Sequence, residues 1–264
     1  MKTVTRDDVT GAFLSGGIGP GSLVMVHSDI SRIGPAGGAA TREETLGAYA
    51  GGITGAIGKT GTLAVLACSE SYARHGTPFV HEDTPSEWGV LSEYIRTRPD
   101  AVRSMHPLFS VAALGPGSNA LCKETAPTGF GYDSPFERLS RFDGVIACLG
   151  VDLHAMTFVH HIEQTFGVPY GYTKEWDAPV FREGVPVKTR FFAFVRYLDC
   201  AVEYDFTRFQ DVLFEKGAAS RTPLGYGHLY TARAKDVFSI GMDCLRNDPF
   251  FFLKAPPEKE PWKK

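Results

Sequence analysis

The residues best placed to do chemistry are His160 and Glu163, in the stretch Thr157-Phe158-Val159-His160-His161-Ile162-Glu163. This stretch follows the apolar run Val145–Val151 and reads as a strand leading into the first turn of a helix. With Thr157 as N-cap, His160 falls at the third helical position. There the unpaired amides and the positive helix end disfavour an imidazolium and keep the ring a neutral proton acceptor. Glu163 lies one turn on, at i+3, within reach of that ring. A plainer reading is a capped helix with two incidental histidines. A metal-hydrolase reading fits less well: adjacent His160 and His161 project about 100° apart on a helix, whereas two ligands on one face need i to i+4 spacing.

Three other segments carry candidate chemistry. In Arg103-Ser104-Met105-His106-Pro107-Leu108-Phe109-Ser110, Pro107 forces His106 away from helical geometry and so into an extended segment or turn. An ordinary helix-to-strand loop with a carbonyl-capping arginine explains the same residues. In Tyr132-Asp133-Ser134-Pro135-Phe136, helix capping with proline at the first position accounts for everything. Cys68 ends a strand below a loop, so a cysteine acyltransferase is a further possibility.

The elements that must position these residues follow from the chain's punctuation. Gly19-Pro20-Gly21 precedes a buried strand, Leu23–Val26, which leads into His27-Ser28-Asp29-Ile30-Ser31 and a glycine-rich loop. Thr41-Arg42-Glu43-Glu44 is a capping box that opens a helix to about Ile57, and a second buried strand spans Thr62–Cys68. This is a strand-helix-strand unit. Residues 69 to 85 read as a long polar loop over the carboxyl ends of those strands, where α/β sheets place ligands. Next come a helix over 86–98, strand 109–114, a short helix over 134–140 and the strand-to-His160 unit. A hairpin over 180–199 turns at Glu183-Gly184, and helices span 206–216 and 231–247. The charged tail, 256–264, reads as a disordered end.

Composition bounds the function. The chain has 264 residues, enough for one substantial core, and a formal net charge of -3 with no basic stripe, which argues against a nucleic-acid partner. Its five scattered cysteines suit reduced core thiols and a cytoplasmic setting rather than a disulfide frame. Met1–Asp8 lacks the apolar core of a signal peptide, and no apolar run approaches the roughly 18 residues of a membrane span.

Taken together, Val26-His27-Ser28, Asp83-Thr84-Pro85-Ser86 with Gly89, Arg103-Ser104-Met105-His106-Pro107 with Ser110, Ser134-Pro135, Leu149-Gly150-Val151, and Thr157 with His160 and Glu163 resemble the aminoglycoside 3-N-acetyltransferase family. The resemblance extends to Leu224-Gly225 and Asp248-Pro249. It implies one acetyltransferase domain over 1–264, an α/β fold with a mixed central sheet flanked by helices, and a monomer or homodimer. It also implies transfer of acetyl from acetyl-CoA to the amine of an aminoglycoside, amino sugar or biosynthetic intermediate, with no metal and no membrane partner. A non-catalytic CoA or amine binder is the alternative.

On this resemblance His160 is the general base, and Glu163 or Asp199 orients it. Thr157 and the backbone of 28–31 supply oxyanion donors, while Ser28, Ser31, Ile33, Gly34, Arg103, Ser104, His106 and Ser110 hold CoA. Family members carry Pro-Thr where this chain has Leu66-Ala67-Cys68-Ser69, and Asp29 stands where a second Ser is common. Glu70, Glu82 and Asp83, with Glu87, form an expected acidic mouth for a cationic acceptor.

Overall fold

The computed structural model describes residues 3–263. At its centre three strands run parallel: β1 (Leu23–Ser28), β2 (Thr62–Leu66) and, on the other side of β1, β6 (Val145–Leu149). Each is covered on both faces, which is why each reads as a nearly continuous apolar run. Antiparallel strands extend both edges. β5 (Val111–Leu114) pairs with β2, and β4 (Val102–Arg103) with β5. On the far side β12 (Gly227–Arg233) pairs with β6, and β11 (Ala219–Leu224) with β12. The sheet order is β11-β12-β6-β1-β2-β5-β4, so the mixed sheet read from the sequence is present.

Alternation along β1 divides the core. Val24 and Val26 face one layer, formed by α1 (Arg6–Ser15), α2 (Arg42–Ile57) and α4 (Val90–Arg96). Met25 faces the other, formed with α5 (Ser118–Cys122), α6 (Pro135–Arg141), α7 (Val159–Phe166), α8 (Thr207–Glu215) and α9 (Ala234–Asn247). α2 opens with the expected capping box: Thr41 Oγ1 accepts from the Glu44 amide at 3.1 Å, and Glu44 accepts from the Thr41 amide at 3.2 Å. α1 has a similar box between Thr5 and Asp8 that the sequence reading did not include. The two helices pack closely because Gly52 has no side chain; a Cβ there would lie 2.6 Å from Val9 Cβ.

Two smaller assemblies lie outside the sheet. β3 (Phe79–Val80), β8 (Val180–Arg182) and β9 (Val185–Pro186) form one, with β8 and β9 joined through Glu183 and Gly184 at φ 51° and 73°. That is the two-residue turn of a tight hairpin. The hairpin ends at Pro186, not Asp199. β10 (Phe191–Arg196) instead pairs with β7 (Gly171–Trp176), a strand whose outward residues masked its pattern.

Other expectations shift for local reasons. Residues 69–85 hold a short helix, α3 (Glu70–His75), and β3, rather than loop alone. The helix expected from Ser86 begins at Val90, and the one expected from Thr231 begins at Ala234, because 227–233 are held as a strand against β6. The tail is not a disordered end over its described part, since Trp262 packs with Tyr197 and Phe250, ring centroids 6.3 Å from each. Lys264, like Met1 and Lys2, lies outside the described residues. Among the described residues no helix is long and apolar enough to cross a membrane.

Candidate active site

α7 begins just beyond the carboxyl end of β6 and carries His160 and Glu163 on one face. Thr157 is not its N-cap. Phe158 takes that place with no side-chain cap, and the Thr157 carbonyl accepts the His160 amide at 3.1 Å. His160 is therefore the second helical residue.

Its Nδ1 lies 2.6 Å from Glu163 Oε2, which assigns Nδ1 as donor to the carboxylate and leaves Nε2 as acceptor. Glu163 is fully buried, and apart from His160 its carboxylate is met by hydroxyl donors. Tyr170 donates to Oε1 at 2.7 Å and Tyr204 to Oε2 at 3.2 Å. Burial, with the Glu163 charge as the next cause, pushes both tyrosine hydroxyls well above their ordinary value and keeps them donors.

Asp199 does not take part. It is exposed beyond the end of β10, and the contact to His160 belongs to Glu163. His161 projects elsewhere, with Nδ1 2.6 Å from the Phe130 carbonyl and its ring stacked on Phe238. Among the described residues no three His, Cys, Asp or Glu side chains converge as a metal-ligand set.

Two cavities meet near this dyad. A cleft of about 190 Å³ sits at the carboxyl ends of the parallel strands, lined by His27 and Ser28 from β1, Leu66 from β2, and Trp88, Ser92 and Thr157. A larger pocket of about 530 Å³ holds His160, Tyr204, Phe130, Trp176 and Arg196. Trp88 lines both. Thr157 and His160, less than one helical turn apart, therefore face different cavities. Gly150 ends β6 with φ 73°, and a Cβ there would sit 2.2 Å from the Asp29 carbonyl, so glycine lets the loop after β1 close over the sheet.

His27 is the cleft's unusual residue. It is buried, desolvation lowers its pKa to about 4, and its Nε2 has no hydrogen-bond partner. A buried orphan polar atom calls for a partner. With the hydroxyls of Ser28, Ser92 and Thr157, it makes a narrow, mostly apolar cleft with a few polar groups, which fits the amide-bearing pantetheine arm of CoA.

The rest of the expected CoA set is placed differently. Ser31 lies on the exposed loop, its amide and hydroxyl both donating to Asp29 Oδ1, at 3.2 and 2.5 Å. Ile33 is buried in the core, and the Gly34 carbonyl accepts from Tyr49 at 2.6 Å, so neither lines the cleft. Arg103 is a clamp inside the protein. Its guanidinium donates to Ser110 Oγ (3.0 Å), the carbonyls of His81, Thr84 and Ala67, and Ser69 Oγ, and lies over Phe79. All five donors are committed within the protein. Ser104 accepts the Val111 amide, and Ser110 donates to the Ala67 carbonyl. His106 accepts from the Phe109 amide and donates to the Phe192 carbonyl, and burial lowers its pKa to about 4. These four residues hold segment 69–85 and β10 to the sheet.

Of the expected acidic mouth, only Glu70 reaches the pocket, where Trp88 Nε1 donates to it at 2.8 Å. Glu82 and Asp83 are exposed away from it, and Glu82 accepts from the Glu183 amide. Cys68 is fully buried, burial raises its thiol pKa well above the ordinary value, and it lines neither cavity. The reading by residue type missed Trp88, Tyr170 and Tyr204, and gave His27 no role, although a lone histidine in an apolar strand was a visible signal.

Comparison with known proteins identifies the family and the fold. The model of the family described as aminoglycoside 3-N-acetyltransferase matches residues 25–246. The chain is 32% identical over 212 residues to aminoglycoside N(3)-acetyltransferase VII of Streptomyces paromomycinus, covering 71% of this chain and 70% of that one. It is 28% identical over 255 residues to aminoglycoside N(3)-acetyltransferase IV of Salmonella sp, covering 95% and 91%. Among solved structures, aminoglycoside acetyltransferase AAC(3)-Xa superposes with a TM-score of 0.80 at 25% identity, covering 93% of each chain.

Proposed function

We propose, from the premise that this chain belongs to the aminoglycoside 3-N-acetyltransferase family, that it moves an acetyl group from acetyl-CoA to an amine of an aminoglycoside, amino sugar or biosynthetic amine. It does so as a single cytoplasmic domain. The observation that carries this reading is His160: Nδ1 is held by a buried carboxylate, and the ring lines a pocket that shares Trp88 with the narrower cleft.

A protonated amine has no lone pair for attack, so a neutral imidazole in reach is needed. The ammonium gives one proton to solvent, and His160 Nε2 takes a second N–H proton as the free amine nitrogen bonds to the thioester carbonyl carbon. Glu163 stabilises the resulting imidazolium, and Tyr170 and Tyr204 hold that carboxylate in place. The Thr157 hydroxyl and amides after β1 are the donors for the oxyanion. Collapse breaks the carbon–sulfur bond, and His160 returns its proton to the departing thiolate.

The test is acetyl-CoA with a panel of amines, following free thiol and N-acetyl product. Equal amounts of both are expected. CoA binding with no thiol release from any amine would identify a non-catalytic binder.

A further inference from the structure

Arg196 lines the pocket but spends its side chain on the protein. It is the last residue of β10, and the chain turns back at once through 198–201, where Ala201 takes φ 51°, a conformation that a residue with a Cβ rarely adopts. Arg196 Nη1 reaches across this turn and donates to the Val202 carbonyl at 2.5 Å. The guanidinium lies over the Tyr204 ring, 5.3 Å from its centroid. No carboxylate stands within ion-pair distance of it among the described residues, so a carbonyl and a ring are what it holds.

Tyr204 is the residue that this staple places. Between the turn and α8 the chain makes no strand, and a single bridge to Leu253 is its pairing there. The Tyr204 ring stacks on Phe206, centroids 5.2 Å apart, and packs on His160 at 5.4 Å. Its hydroxyl donates to Glu163 Oε2 at 3.2 Å, the same oxygen that takes His160 Nδ1 at 2.6 Å, whereas Tyr170 binds Oε1. Of the two tyrosines, Tyr204 alone meets both the base and the oxygen that orients it. A bond of that length is at the long end for a hydroxyl donor, so a small displacement of the ring loses it.

Resting on the transfer reading above, we infer that Arg196 is a positioning residue for the base: by tying Val202 to the end of β10 and covering the Tyr204 ring, it sets the Tyr204 hydroxyl on Glu163 Oε2, and that carboxylate orients His160. Arginine suits the task because its planar fork donates in the plane while its face rests on a ring. Its charge also works against the rise of the Tyr204 hydroxyl that burial causes, which makes that group a better donor. An imidazole whose Nδ1 bond loosens presents Nε2 less often in line with the amine.

The experiment is a double-mutant cycle between Arg196→Met and Tyr204→Phe, read as kcat and KM with acetyl-CoA and gentamicin. Each single change should lower kcat about tenfold, the scale of one hydrogen bond to a charged group. The double variant should also fall about tenfold, not a hundredfold, because the second change removes nothing that the first has left. Both KM values should stay within about twofold of the parent. Arg196→Lys keeps a donor for Val202 and a cation over the ring, and should recover most of the loss. Arg196→Gln runs the same cycle should Arg196→Met not fold. Proton NMR reads the chain of contacts without turnover: the His160 Nδ1–H resonance, assigned by its loss in His160→Ala, should move alike in the two single variants and no further in the double. If neither gentamicin nor any amine of the panel above releases thiol, the transfer reading falls and the resonance alone decides. A multiplicative loss in the double variant, a raised acceptor KM with kcat unchanged, or a resonance that the Arg196 variants leave unmoved overturns the inference.

Discussion

The two cavities that meet at Trp88 are built on different kinds of framework. The cleft sits on β1 and β2, strands paired on both sides and covered on both faces, and every residue of β2 is buried. The pocket is walled by a two-stranded ribbon in which the four central residues of β7 are exposed. Strands locked in the core open only with the whole domain, whereas a ribbon with few buried contacts lies at the low-stability end. The difference teaches where each specificity resides. On the proposed assignment, a cosubstrate of fixed shape has the rigid frame, and the acceptor faces side chains that can change without disturbing the sheet.

His160→Ala tests that separation most severely. Loss of the base should lower kcat about a thousandfold while CoA affinity, measured by calorimetry, stays within a few-fold of the parent. A parallel loss of CoA affinity would show that cleft and pocket act as one unit.

Arg103→Ala strips hydrogen bonds from the carbonyls of His81 and Thr84 and leaves that of Ala67 with Ser110 alone, and it empties a buried site. Denaturant unfolding should register a loss of about 3 kcal/mol. CoA affinity of the folded fraction should change little. A CoA-specific loss without destabilisation would place Arg103 in the donor site.

Each side of the junction also holds a buried neutral histidine, His27 in the cleft and His106 behind Phe109. Burial lowers both from 6.5 to about 4. The unfolded chain binds a proton at each below pH about 6.5, whereas the folded protein does so only near pH 4. Their contribution is therefore complete above pH 6.5 and is lost as pH falls through that window. At pH 5 the cost is about 2 kcal/mol for each. Melting temperatures across pH 4–7 should show this slope, and His27→Gln should flatten part of it. An unchanged slope in His27→Gln and His106→Gln alike would mean that other groups set acid stability.

The smallest effect is expected at the shared wall. Trp88→Phe keeps an aromatic ring but removes the bond to Glu70, and should raise both substrate KM values only a few-fold, the scale of one hydrogen bond. A change in one KM alone would assign Trp88 to a single cavity.

Those elements whose signals are local were legible in the chain. The buried runs of β1, β2 and β6, the Thr41–Glu44 capping box, the Ser134-Pro135 helix start and the Glu183-Gly184 turn depend on neighbours within a few residues, and each is present. The i+3 spacing of His160 and Glu163 is of the same kind. Helical geometry alone brings them within reach.

Placement of everything distant in sequence was decided by packing. Arg103, Ser104, His106 and Ser110 are the residue types that bind phosphates and amides, and only their burial among backbone carbonyls and amides turns them inward as a clamp. Tyr170 and Tyr204 reach Glu163 from 7 and 41 residues away, joined by how β7, β10 and the segment after them fold over α7. The charge of the pocket was hidden for the same reason. Glu82 and Asp83 lie near Glu70 in the chain but away from it in space, while Lys174 and Arg196 come from a ribbon whose pairing no local pattern announces. Electrostatic sign is a sum over neighbours in space, so only the tertiary structure could set it.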